Sequence, residues 1–335
     1  MFIILRAFGL LTITVISASA LTEEKVNETR TAKAGGKLIV DVDFGTIEVV
    51  VGDNDKVVLA GYRKIDASSK EKEQEYLAAA PITITADEND VTVRARRVKK
   101  GDDLKSWSWH GHSNMDAHYR LSVPATFNAN LQTAGGDISA KNLTGTIKAD
   151  TSGGDWAFDR VHGPINAHSS GGQIEVTACE GAIDIETSGG RIEARGGSGS
   201  LNARTSGGTI TAKDFSGETK VETSGGKLDL ANIGGKLTGG TSGGSIFAVL
   251  ASPVPGDVTL KTSAGSIKVV APSNAALDVD AETSAGDVIS DLPITTLRAG
   301  HERLKGTING GGKSLVLRTG AGSIVIKSAS EIARR

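Results

Sequence analysis

A four-residue signature returns every 18 residues through the middle of this chain: TAGG at Thr133, TSGG at Thr151, SSGG at Ser169, then TSGG at Thr187, Thr205, Thr223 and Thr241. Seven copies at one spacing mark a stacked repeat, in which each unit buries its apolar face only against its neighbours. Counting the Thr as unit position 1, position 6 reads Ile138, Trp156, Ile174, Ile192, Ile210, Leu228 and Ile246, and position 8 reads Ala140, Phe158, Val176, Ala194, Ala212, Leu230 and Ala248. Positions 15 and 17 are apolar in the same way, with Ile183 and Ile185 in one unit and Leu201 and Ala203 in the next. Polar residues such as Glu175, Asp184, Glu193 and Arg204 stand between them. Alternation over short runs means strands with one buried face, and no sustained helical period competes with it.

Each unit then holds two short strands and two turns. The Gly-Gly pairs, among them Gly153 and Gly154, Gly189 and Gly190, and Gly207 and Gly208, read as structural turns where a missing Cβ permits positive φ. A second turn carries a glycine at position 13, from Gly145 to Gly235. Stacked coils bring the Thr/Ser column into a hydroxyl ladder whose task is to satisfy backbone groups beside the turn. The fold class that follows is all-β, a parallel β-solenoid of 18-residue two-strand coils. The period loosens toward the C-terminus, where TSAG at Thr262 and Thr283 and TGAG at Thr319 come 21, 21 and 36 residues apart.

Upstream the chain is irregular but strand-rich. Lys37–Val42, Gly45–Val51, Lys56–Ala60, Ile82–Thr85 and Val91–Arg94 read as strands, and Ser68–Ala80 reads as one helix closed by Pro81. This region is expected to cap the open solenoid end. The first residues have another character: one charge at Arg6, an apolar stretch from Ala7 to Ile16, and Ala18-Ser19-Ala20 as a small-residue cleavage site. That is a secretory signal peptide. The expected organisation is a leader over residues 1–20, a cap with early irregular coils over 21–132, the TSGG solenoid over 133–328 and a tail over 329–335.

Together these motifs resemble the bacterial putative-adhesin family of β-strand-repeat, domain-of-unknown-function proteins, related to autotransporter adhesin head domains. The resemblance rests on the opening strand Gly45-Thr-Ile-Glu-Val49, the segment Tyr119-Arg-Leu-Ser-Val-Pro124, the tandem TSGG units, and the closing Gly306–Gly312 and Thr319–Ile324 stretches. It covers roughly residues 35–328 and implies an envelope or extracellular β-solenoid with no agreed catalytic residues.

The chemistry is sparse. The net charge of −2 becomes −3 once Arg6 leaves with the leader, and no polybasic stripe points to nucleic acid. No window of the mature chain is long and apolar enough to span a bilayer as a helix. Cys179, the only cysteine, falls in an apolar column and reads as a small buried residue rather than a reactive thiol. Trp107, Trp109, His110 and His112, with His118 beyond, form the candidate ligand-contacting segment. Tryptophans can stack on sugars and His-x-His can hold a metal, but a charged, glycine-rich loop is the plainer reading, and no metal or cofactor is assigned. Outward carboxylates also align: Glu175 and Glu193 on adjacent coils, and Asp150, His168, Glu186, Arg204 and Glu222 in one column whose signs alternate. The first pattern is what a polysaccharide lyase or hydrolase would use, and the second is what a stacked surface needs. The expectation is a non-enzymatic exported protein of the periplasm or cell surface, an adhesin-like scaffold or binding module for envelope polysaccharide or protein. A polysaccharide-active β-helix enzyme is the alternative, and an ice- or surface-binding Thr array the least favoured, because strand alternation turns the Thr column inward.

Overall fold

The computed structural model of the chain describes residues 12–18, 21–97 and 114–329. The chain divides into two compact units, residues 1–156 and 157–335. The second shows the repeat in its regular form. Strands Ile174–Thr177, Ile192–Arg195, Ile210–Lys213, Leu228–Ala231 and Ile246–Val249 stack in parallel, so that Ile174, Ile192, Ile210, Leu228 and Ile246 lie in one register. Opposite them Ile165–Ser169, Glu180–Thr187, Ser198–Thr205, Ser216–Thr223 and Leu237–Thr241 form a second parallel stack. Side chains alternate between buried and accessible along the first stack and over the last five residues of each strand in the second. Equivalent repeat positions therefore touch one another, and the chain is a parallel β-solenoid.

The turn beside each Thr is held by that residue's hydroxyl. Thr205 is buried; its Oγ1 donates to the carbonyl of Gly190, one coil away, at 2.9 Å, and accepts from the N–H of Gly208 in its own turn at 3.2 Å. Thr187, Thr223 and Thr241 repeat both bonds. Ser169 accepts from the N–H groups of Gly171 and Gly172. The ladder expected from the sequence is thus an inter-coil bond and a turn bond made by one hydroxyl.

The glycine pairs differ from the sequence reading in their physical reason. None of Gly153, Gly154, Gly189, Gly190, Gly207 and Gly208 sits in the left-handed φ region. The second glycine of each pair is needed because coils approach there: a Cβ on Gly190 would run into the carbonyl of Gly172, and one on Gly208 into that of Gly190. The first glycine has room, since a Cβ on Gly189 would come no nearer than 3.8 Å to its neighbours. Positive φ is found in the other turn, where Gly181 and Gly199 take φ of 123° and 109°, and at the junction glycine of the outlying coils, with 150° at Gly136 and 155° at Gly265.

Near its C-terminus the chain departs from sequential order. Strand Lys313–Ala321 pairs in parallel with Val258–Ala264 on one side and with Leu277–Thr283 on the other. Ile324–Ser328 likewise lies between Ile267–Ala271 and Val288–Ser290. The last coil in sequence is therefore inserted one place in from the end of the stack. The Thr ladder follows this spatial order: Thr319 donates to Gly265 and Thr283 to Gly322, both at 2.8 Å. The antiparallel pair Thr295–Ala299 and Arg303–Ile308 closes the outer edge of Leu277–Thr283.

The first unit uses the same device. The coil made by Lys37–Val42 and Thr46–Val51 has Asp90–Ala95 and Asn114–Val123 on one side, and Asn128–Thr133 and Ile138–Lys141 on the other. Antiparallel strands complete the cap: Thr83–Asp87 on Asp90–Ala95, Lys56–Asp66 on Asn114–Val123, and Leu21–Thr31 on Lys56–Asp66. Thr12–Ala18, within the stretch read as the leader, pairs with Leu21–Thr31. The helix spans Lys70–Ala79 and starts at Ser69, whose side chain accepts from Lys72 N–H. It is anchored by buried polar groups. Arg63 binds Glu24 through Nε at 2.8 Å and the Ala80 carbonyl at 2.6 Å, while Glu73 accepts from Thr22 at 2.6 Å. Tyr76 packs beside this network, and burial pushes its hydroxyl up to about 12. Among the described residues no helix is long and apolar enough to cross a membrane.

The two glycines of one pair are expected to respond differently to substitution. Gly190→Ala should lower stability by about 2 kcal/mol or more, whereas Gly189→Ala should stay within about 0.5 kcal/mol of the parent. Denaturant unfolding of the two variants measures the difference, and equal losses would contradict the close-approach assignment.

Candidate functional site

The inward columns are consumed by packing and turn bonding, so binding chemistry must come from outward side chains. Most of these are paired along or between coils. His168 Nδ1 lies 3.9 Å from Glu186, Arg204 reaches Glu222 at 3.3 Å and Asp184 at 3.8 Å, and Lys220 meets Glu222 at 3.2 Å. On the other sheet Lys213 pairs with Asp229 at 2.6 Å and Arg195 with Glu193. Glu175 and Glu193 stand in register on adjacent strands, and Glu193 is bound by Arg195. Burial pushes the Glu222 carboxyl upward, but hydrogen bonds from Lys220 and Arg204 outweigh it and hold the group below its ordinary value. That direction keeps it ionised, the opposite of what a general acid requires.

The pattern breaks one strand beyond Glu222. Gly240 occupies the outward position there, in register with Glu222 on one side and Lys261 on the other. Its missing side chain opens a groove of about 630 Å³ across the sheet. Lys261 is exposed and has no ion-pair or hydrogen-bond partner among the described residues. Next to it in register stands Arg318, which is held by Asp280 at 3.0 Å and Glu282 at 3.7 Å. Ser242, Ser263 and Ser284 line the rim with exposed hydroxyls. Every lining residue is glycine, serine, threonine or charged, with no aromatic or aliphatic side chain. The sequence reading followed this outward column only as far as Glu222. The Gly239-Gly240 pair, which interrupts both columns of its strand, was the signal that could have extended it.

Of the residues singled out in the sequence, Trp107, Trp109, His110 and His112 lie outside the described residues. His118 is on strand Asn114–Val123, with Nε2 at 3.3 Å from Glu48, which also binds Arg120 at 2.7 Å. Among the described residues no three His, Cys, Asp or Glu side chains gather as a metal site would need.

The family profile of Toastrack DUF4097 matches residues 126–327, more than half of the sequence. The chain belongs to this family. That agrees with the resemblance carried by the repeat motifs. Two solved structures are similar to it at low identity. One is a putative adhesin from Bacteroides fragilis NCTC 9343, 14% identical over 93% of this chain and 98% of that one, with a TM-score of 0.35. The other is a putative cell adhesion protein from Clostridium sporogenes ATCC 15579, 12% identical over 91% and 99% of the respective chains, with a TM-score of 0.17. No curated protein matches the chain.

The cysteine of this Toastrack chain is part of its core. Cys179 is buried; its Sγ accepts from Val161 N–H at 3.4 Å and donates to the Thr177 carbonyl at 3.4 Å. Burial pushes the thiol above its ordinary value, against the lowering effect of these backbone contacts. A disulfide thiol reagent should therefore leave the native protein unmodified and titrate one thiol after denaturation. Rapid modification of the native form would show that the column opens at this coil.

Proposed function

We propose that this Toastrack chain is an exported, non-enzymatic protein of the bacterial envelope, acting in the periplasm or at the cell surface as an adhesin-like module that binds glycan or protein. The observation that carries the reading is the division of labour in the repeat. Threonine and glycine columns are spent on folding, many outward charges neutralise one another, and the groove at Gly240 gathers uncommitted polar groups, Lys261 and three serine hydroxyls. The leader-like pattern over residues 1–20 supports export. A rigid stack that offers long outer faces suits presentation of a binding surface, as in other solenoids.

A polysaccharide-cleaving role needs converging carboxylates with one group kept protonated. Glu193 is instead ion-paired, and Glu222 is held ionised by two cations. These features support binding over turnover.

Co-sedimentation of the mature protein with insoluble cell-wall and matrix polysaccharides tests the proposal. Retention on a polymer, without release of soluble sugar, is the expected result. Replacing Trp107 and Trp109 by Ala in the same assay reports whether that segment contributes. Failure to retain any polymer, together with failure to capture any envelope protein, would overturn the binding role.

A further inference from the structure

The groove at Gly240 holds an electrostatic arrangement found nowhere else along its outward column among the described residues. From His168 to Glu222 a cation or imidazole stands beside a carboxylate at every step. Beyond Glu222 the order becomes Gly240, Lys261, Arg318 and Glu282. Lys261 thus has a cation on one side and an empty place on the other. Like charges side by side on neighbouring strands are destabilising. Insertion of the last coil creates the juxtaposition: without it, the strand carrying Glu282 would follow the strand carrying Lys261. Arg318 is compensated by Asp280 and Glu282, whereas Lys261 is not. Lys261 is the lining cation without a carboxylate partner, and an anion lying over Gly240 would sit between it and Glu222, whose own charge is met by Arg204 and Lys220.

The rest of the lining specifies what carries that anion. Ser242, Ser263 and Ser284 present hydroxyls that make no hydrogen bond within the described chain; Ser242 and Ser263 stand on neighbouring rows about 4.8 Å apart, and Ser284 stands two rows beyond Ser263, with Gly320 of the inserted coil between them. Hydroxyl rows of this kind match a hydroxylated ligand. The absence of any aromatic or aliphatic lining residue argues against a protein partner, whose interface core needs such anchors. Lysine offers a compact point charge, whereas an arginine fork would clasp a carboxylate or a phosphate or sulfate ester in two places. The fork of Arg318 is already engaged by Asp280.

We propose that this groove binds the uronic-acid units of an acidic polysaccharide, with the sugar carboxylate on Lys261 and sugar hydroxyls on the serine row. The assignment rests on the reading of the chain as an envelope binding module and names the ligand class of that module. The site is polar and open, so affinity comes from several weak contacts repeated along a polymer, and it falls as salt screens the Lys261 contact.

Gly240 offers a direct test because its backbone tolerates a side chain. A Cβ there would meet only Glu222 Cγ, at 3.9 Å. Calorimetric titration of the purified full-length chain with oligogalacturonate, a neutral galactan oligomer and inorganic phosphate should show binding of the first alone. Lys261→Gln should weaken it roughly tenfold or more, the loss expected for one charge-assisted hydrogen bond. Gly240→Glu, which fills the groove and places a carboxylate beside Lys261, should abolish it while the protein keeps its β circular-dichroism spectrum, with at most a small fall in melting temperature from the neighbouring Glu222. Oligogalacturonate binding that survives both substitutions overturns the site. Binding of only the neutral oligomer, only phosphate or only an envelope protein overturns the ligand class and leaves the binding role standing. If no polymer and no envelope protein binds, both readings fall together.

Discussion

The hydroxyl of the repeat threonine is the contact on which the solenoid depends. In each regular coil it donates to a glycine carbonyl of the neighbouring coil and accepts from a glycine N–H of its own turn. One buried side chain thereby joins two coils and closes a turn. The same contact explains the second glycine of the motif. To put a carbonyl within reach of the hydroxyl, the backbones must approach so closely that a Cβ on Gly190 or Gly208 would overlap the carbonyl beneath it. Thr and Gly are two sides of one junction, repeated at each coil. A buried donor or acceptor without a partner costs more than an ordinary hydrogen bond contributes, so the junction is intolerant of partial loss.

Much of this architecture was legible in the sequence because the columns are strict. Ile192 over Ile174 and Leu228 over Ile210 alternate with polar neighbours, which fixes strand, face and register together. The helix read over Ser68–Ala80 was marked by Pro81 beyond it, and the structure starts it at Ser69. The insertion of the end coils was not legible, for a physical reason. Leu260, Leu317 and Ala281 are equivalent apolar positions, and each coil presents the same Thr-Gly junction. Exchanging the order of two such coils leaves every column satisfied, so pattern alone cannot choose between orders. The geometric reason for the glycine pairs was hidden in the same way, because it lies between coils and not within one turn.

The insertion has consequences for both stability and binding. A solenoid whose chain-terminal coil lies at the end of the stack can fray from that end, whereas here the coil with Lys313–Ala321 has partners on both sides. Its place beyond Val258–Ala264 also brings Arg318 beside Lys261. The groove was therefore invisible to the sequence on two counts. It arises from a side chain missing at Gly240, and from a neighbour of Lys261 that only the three-dimensional order supplies. Trp107 and Trp109 stood out because aromatic residues are rare in this chain, while the groove is built from the commonest residues of the repeat.

The central claim concerns the hydroxyl bridge, and denaturant unfolding of Thr205→Val beside Thr205→Ser tests it most directly. Valine keeps the shape of the side chain but removes the bonds to the Gly190 carbonyl and the Gly208 N–H. The account predicts a loss of about 1–3 kcal/mol for valine, with serine retaining most of the stability, as Ser169 already occupies the same column. A valine variant as stable as the parent would show that apolar stacking, and not the threonine bridge, holds the coils together.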